Sequence, residues 1–128
     1  MIDFALIRDG QIELQQELDR AATNPFHVDH SGRFKQSLLQ AEIIVYLTDN
    51  AGEIVMDRLI IEIIQEKDGK DITVIVRGKP VWNDATMSDA HQIDLDDVAT
   101  VLPRGNDAPG TLYEEVTPEV KDLLTMQI

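Results

Sequence analysis

The chain has 128 residues, of which 24 are Asp or Glu and 11 are Lys or Arg, for a net charge of −13. So acidic a surface repels a phosphate backbone or an anionic bilayer, since nucleic-acid affinity rests on Lys and Arg displacing counterions, and no apolar run nears the roughly 20 residues that span a membrane. The absence of cysteine excludes disulfides, thiolate metal sites and cysteine nucleophiles, and it suits a reducing cytoplasm.

With 43% of its residues hydrophobic, the chain has the material for one folded core. Gln11 to Ala22 carries Ile12, Leu14, Leu18 and Ala21 on one helical face, and Asn24-Pro25 closes it because proline disfavours helix in the residue before it. A second helix is predicted over Ser31 to Gln40, with Ser31 as N-cap and Phe34, Leu38 and Leu39 at helical spacing. Glu42 to Thr48 is too short for a helix and too continuously apolar for a one-sided strand, so it reads as a strand buried on both faces. Asp49-Asn50-Ala51-Gly52-Glu53 follows, then a helix over Ile54 to Glu66, in which Val55, Leu59 and Ile63 stack on one face and Gly69 forms the stop. Asp71 to Val76 is a second buried strand. The turn Arg77-Gly78-Lys79-Pro80 and the segment Trp82 to Thr86 lead to a short helix ending near His91. Asp97 to Leu102 is a weaker third strand, Pro103 to Thr111 a loop by composition, and Thr117-Pro118-Glu119 the start of a last helix.

Strands alternating with helices imply parallel βαβ units. The fold expected is α/β, a Rossmann-like three-layer αβα core with a mainly parallel sheet. Residues 1–41 form a helical lead-in and residues 42–128 the core, within a single domain. Ligands in such sheets collect at the carboxyl ends of the strands, so the three polar segments that follow the strands should converge.

Those segments offer Asp49, Asn50 and Glu53, then Arg77, Asn83 and Asp84, then Arg104, Asn106 and Asp107 with two flanking glycines. Carboxylate and carboxamide oxygens, with no thiol and no paired histidines, suit a hard cation such as Mg²⁺ or Mn²⁺. Such a cation keeps open positions for water and phosphate, and the Gly-rich third loop with Arg104 could hold the phosphate. Each piece also has a purely structural reading. Asn50 with Glu53 resembles a capping box, Asp84 could begin a helix, and Thr86 with Asp89 forms another capping pattern. His27, His30 and His91 lack ligand spacing and read as surface or locally hydrogen-bonded residues, and Trp82 reads as packing beside the second loop.

Three segments taken together, Asp49 to Val55, Arg77-Gly78-Lys79-Pro80 with Asn83-Asp84-Ala85-Thr86, and Asn106 to Thr111, resemble the successive signatures of the metal-dependent damage-control phosphatases. That family is also described as a protein-glutamate methyltransferase-like metal-binding domain. Met1-Ile2-Asp3-Phe4 is similar to the family's entry into its α/β core, with Ala5 where glycine is commoner. The resemblance implies a cytoplasmic phosphatase that uses Mg²⁺, Mn²⁺, Co²⁺ or Ni²⁺ on small phosphorylated metabolites, sugar phosphates or damaged cofactor intermediates. It implies Asp49, Asn50 and Asp84 as metal ligands, Asp49 and Asp84 as the residues carrying catalysis, and Glu53 as support behind them. Arg77, Asn83, Arg104, Asn106 and Asp107 are then expected to face the substrate phosphate. The methyltransferase activity proposed for some relatives ranks lower, because no Gly motif for adenosylmethionine is present; a nucleotide-binding domain is disfavoured for want of G-x-G-x-x-G or Walker-type motifs.

Members of the family run to about twice this length or more, with helices before the equivalent of Met1 and a further strand and phosphate-completing loop after the last helix. The chain is therefore expected to be a truncated form of the fold. Its uncovered sheet edge predicts self-association or completion by a complementary segment. The alternative to an enzyme is a non-catalytic, metal-binding remnant or subunit of the same fold.

Overall fold

The computed structural model describes residues 14–105 and 112–126. The chain divides into two compact units, Met1–Gln40 and Ala41–Ile128.

In the first unit, helix α1 spans Leu14–Thr23 and α2 spans Ser31–Gln40. The predicted start of α1, Gln11 to Ile12, lies outside the described residues. Ser31 begins α2 but does not cap it: its own backbone N–H donates to Asp29 Oδ1 at 2.8 Å, so the cap function falls two residues earlier.

The second unit is a parallel sheet of order β1-β2-β3, with β1 at Ile43–Leu47, β2 at Asp71–Val76 and β3 at Thr100–Pro103. Val45 pairs with Thr73 and Val74 with Val101, so the carboxyl ends of all three strands lie at one edge. Helix α3 (Ile54–Asp68) connects β1 to β2; α4 (Met87–Gln92) and a 3-10 turn at Leu95–Asp97 connect β2 to β3. A 3-10 turn at Tyr113–Glu115 and helix α5 (Pro118–Thr125) complete the described chain.

Side chains alternate across β2, and each set finds a different layer. Ile72, Val74 and Val76 pack with Ile54 and Ile61 of α3, Ala90 of α4 and Leu95 of the turn. Ile75 packs on the other face with Val116 and Val120, beside Val45 and Leu102. The result is the expected α/β layering, with β2 buried from Ile72 to Val76 because it is both central and covered on both faces.

Two strand expectations are corrected, and the buried side of α3 is assigned. The strand expected to be buried on both faces, β1, pairs among the described residues with β2 alone, and Ile43 and Leu47 are exposed. On α3 the apolar stripe Val55, Leu59 and Ile63 is exposed, whereas Ile54, Asp57 and Ile61 turn into the core. That helix is apolar on more than one side, so periodicity alone does not say which side is buried. The third strand starts three residues later than predicted, because Leu95–Asp97 forms a 3-10 turn whose cap Asp94 has φ +53.

Candidate active site

Beyond Leu47 the chain leaves the sheet but remains stitched to it. Thr48 N–H donates to Ile75 O, Ala85 N–H to Asp49 O at 2.7 Å and Ala51 N–H to Asn83 O at 2.7 Å. The last two bonds flank an antiparallel bridge between Asn50 and Asp84, the close type of pair in which the two residues do not bond directly to each other. Arg77 extends β2, its N–H bonded to Ala85 O and its carbonyl to Met87 N–H. Arg104 continues β3 in the same way, with its N–H on Val76 O and its carbonyl accepting from Thr117 N–H. Backbone hydrogen bonds therefore fix all three strand-end segments against one another.

A cavity of about 400 Å³ opens there, lined by Asp49, Arg77, Asn83, Asp84 and Arg104 with Thr48 and the Val81–Trp82 turn. Five of the residues selected from the sequence are thus brought together. Asn50 does not line this cavity but is tied to Asp84 through the bridge, and Glu53 sits at the N-cap of α3. Asn106 and Asp107 lie outside the described residues.

The Arg77 guanidinium is 2% exposed and its Nε donates to Asp84 Oδ2 at 2.6 Å, a short, charge-assisted bond. Arg104 approaches the same oxygen through an Nη at 3.9 Å. Burial, and then the charge of Arg77, push the Arg104 guanidinium below its ordinary pKa, while Asp84 and Asp49 pull it back up.

Negative charge accumulates at the end of β1. Burial and the charges of Asp49 and Asp57 hold the Glu53 carboxyl above its usual range, against a hydrogen bond with Asn50. Asp57 is also raised, by burial above all and by Asp49, although the Tyr46 hydroxyl donating to Asp57 Oδ1 at 2.7 Å works the other way. Among the described residues no three His, Cys, Asp or Glu side chains are grouped to hold a metal ion. The candidate set is two carboxylates and a carboxamide, Asp49, Asp84 and Asn50. Such a set fits a hard divalent cation that retains several waters.

The structural alternatives fare unevenly. Thr86 and Asp89 do form a capping box on α4. Asn50 and Glu53 do not form one on α3, since the N-cap is Glu53 without a side-chain cap bond and Asn50 contributes its carbonyl. Asp84 caps nothing. Trp82, read as a packing residue, is instead 99% exposed at the cavity with φ +50, a conformation costly for a bulky side chain. His91 is an exposed partner of Asp96 at 2.6 Å, as its polar context suggested.

Sequence reasoning overlooked Asp57 and Tyr46. The signal was available: Asp57 occupies the polar position on the α3 face shared with Ile54 and Ile61, so its carboxylate is carried into the core. A raised native pKa means that ionised Asp57 weakens the fold at pH values above that pKa and not below the ordinary value of 3.8. Asp57→Asn keeps the acceptor for Tyr46 and removes the charge. It is expected to raise the melting temperature at pH 7, with the gain shrinking as pH falls toward 3.8; thermal melts of both proteins across that range provide the check, and a less stable variant at pH 7 would refute it.

The model of the damage-control phosphatase ARMT1-like domain matches residues 1–127. The chain is 36% identical over 121 residues to an uncharacterized protein of Methanocaldococcus jannaschii, covering 93% of this chain and 39% of that protein. It is 34% identical over 113 residues to a damage-control phosphatase of Archaeoglobus fulgidus, covering 88% and 38%. The crystal structure of a Pyrococcus horikoshii protein, described as a member of a domain-of-unknown-function family, superposes with a TM-score of 0.84 at 27% identity, over 96% of this chain and 43% of that one. The chain spans about two-fifths of the length of the relatives it matches.

Proposed function

The chain belongs to the damage-control phosphatase ARMT1-like domain family, and from that premise we propose that it carries the metal-holding part of a divalent-metal-dependent phosphatase for small phosphometabolites, such as sugar phosphates or damaged cofactor intermediates. The supporting observation is that Asp49, Asp84, Arg77 and Arg104, drawn from three successive strand ends, line one cavity. Asp49, Asn50 and Asp84 would hold Mg²⁺, Mn²⁺, Co²⁺ or Ni²⁺ through oxygen. A cation of that kind supplies polarisation of a phosphoryl oxygen and a bound water of lowered pKa.

The chain's own contribution is electrostatic and geometric. Arg104 sets a guanidinium at the cavity that offsets the charge of a phosphate ester, and Asn83 offers an amide to orient it. The backbone bonds from Ala51 to Asn83 and from Ala85 to Asp49 hold the carboxylates at fixed separation before any ligand arrives, which reduces the reorganisation that the reaction requires. A cytoplasmic setting suits a chain without cysteine, and no described helix is long and apolar enough to cross a membrane.

Hydrolysis of p-nitrophenyl phosphate is expected with at least one of the four cations, to stop in EDTA, and to be lost in Asp49→Ala. Hydrolysis that persists without metal, or at an unchanged rate in that variant, overturns the reading. The second reading is a metal-binding unit of the same fold without turnover. Its signature is Mn²⁺ raising the melting temperature of the wild type but not of Asp49→Ala, with no hydrolysis in either.

A further inference from the structure

Arg77 is an expected substrate contact whose side chain is committed elsewhere. Only 2% of it is exposed, and its Nε is bonded to Asp84 Oδ2 at 2.6 Å. The second guanidinium, Arg104, reaches the same oxygen at 3.9 Å. Both cations therefore face Oδ2, and among the described residues Oδ1 is the Asp84 oxygen that accepts no hydrogen bond and is left for a metal. We propose that Arg77 is a positioning residue that makes Asp84 a one-oxygen ligand and so selects small octahedral cations over Ca²⁺. This deepens the metal-dependent reading of the site and rests on it.

The selectivity follows from coordination chemistry. Ca²⁺ takes six to eight oxygens at longer range and gains much from a carboxylate that binds through both oxygens. Mg²⁺ and Mn²⁺ prefer octahedral oxygen sets to which a carboxylate contributes one oxygen. An Asp84 pinned through Oδ2 offers both oxygens to a cation only by weakening its bond to Arg77. The backbone adds to this restriction, because Asp84 sits between the two bonds that clamp Asn83 and Ala85 to the β1 extension. The Arg77 main chain is fixed as well, by its bonds to Ala85 and Met87.

The charge of Arg77 repels any cation, so its removal changes absolute affinity in two opposed ways. That repulsion acts alike on two divalent ions and cancels in the ratio of their affinities. The ratio is therefore the quantity to measure, by calorimetric titration of the full chain with MnCl₂ and with CaCl₂. The wild type is expected to prefer Mn²⁺, and Arg77→Met, which keeps length without charge or donor, to narrow the preference by about tenfold, the lower end of what losing a partner behind a metal ligand does. Arg77→Lys, with a point donor in place of a planar fork, should fall between.

An unchanged ratio in folded Arg77→Met, together with a raised KM for p-nitrophenyl phosphate, overturns the proposal and returns Arg77 to the substrate. Should Arg77→Met not fold, the wild type and Arg77→Lys decide: equal affinity of the wild type for Ca²⁺ and Mn²⁺ overturns it, as does a Lys variant with wild-type preference. A wild type that binds neither ion refutes the metal reading itself, a different result from a wild type that binds both alike.

Discussion

Asp84→Ala is expected to abolish metal-dependent turnover and to destabilise the protein by about 3–5 kcal/mol, the usual cost of removing one member of a buried ion pair. The argument starts from the two arginines. Arg77 is 2% exposed and Arg104 is 8% exposed, and both approach Asp84 Oδ2. Deleting the carboxylate removes a negative charge that both guanidinium groups face, in a region largely shut off from water. For a chain of this size the loss corresponds to a fall of roughly 10 °C or more in melting temperature. The Asp84 side chain is 21% exposed, so water enters part of the vacated space and the lower end of the range is expected. Asp84→Asn separates the two roles. It keeps an oxygen for Arg77 Nε and the shape of the site, so it should fold and melt closer to the wild type while losing most of its metal affinity and activity. If Asp84→Asn retains wild-type metal-dependent hydrolysis, Asp84 is not a ligand. If Asp84→Ala melts like the wild type, the arginines do not depend on it.

The same positions show where sequence was informative. Asp71–Val76 is a strand with the predicted bounds, because a β-branched run that is central and covered on both sides carries its signal without help from context. Topology then does the rest: once three parallel strands are in order, the segments after them meet at one edge, and Asp49, Asn83, Asp84, Arg77 and Arg104 line a common cavity there. Less legible was what each side chain does on arrival. An arginine after a strand can face solvent, substrate or a neighbouring carboxylate, and only the position of Asp84 seven residues on, folded back by the Ala85 to Asp49 bond, selects the last. The buried side of α3 was illegible for a similar reason, since Val55, Leu59 and Ile63 are as apolar as Ile54 and Ile61. Trp82 reads as packing beside the second loop, but its backbone takes a left-handed conformation and the side chain is exposed.

Gly105→Ala is expected to be the most disruptive of the conservative changes in the α/β unit. Gly105 follows Arg104 and has φ +104, a conformation that side chains rarely adopt. A Cβ there would lie 2.6 Å from Thr117 Cγ2 and 2.9 Å from Thr117 N. The second contact is with main chain and cannot be relieved by rotating a side chain. Moreover, Thr117 N–H donates to Arg104 O at 3.0 Å, while its hydroxyl caps α5 by accepting from Val120 N–H. Relief of the clash must therefore loosen the bond that anchors Arg104 or the cap of α5. Strained backbone costs about 1–3 kcal/mol and overpacking a similar amount, so a loss of roughly 2–5 kcal/mol is expected, with Arg104 displaced from the cavity and KM for a phosphate ester raised. Two glycines calibrate the claim. Gly69 also has positive φ, +56, but nothing within 4 Å, so Gly69→Ala should show the conformational cost alone, about 1 kcal/mol. Gly78 has no positive φ and only an ordinary 3.5 Å contact with Pro103, so Gly78→Ala should change stability little. Thermal and urea melts of the three variants should rank Gly105 well above Gly69 and Gly69 above Gly78. If Gly105→Ala instead melts with Gly69→Ala, the close approach to Thr117 contributes nothing to the cost.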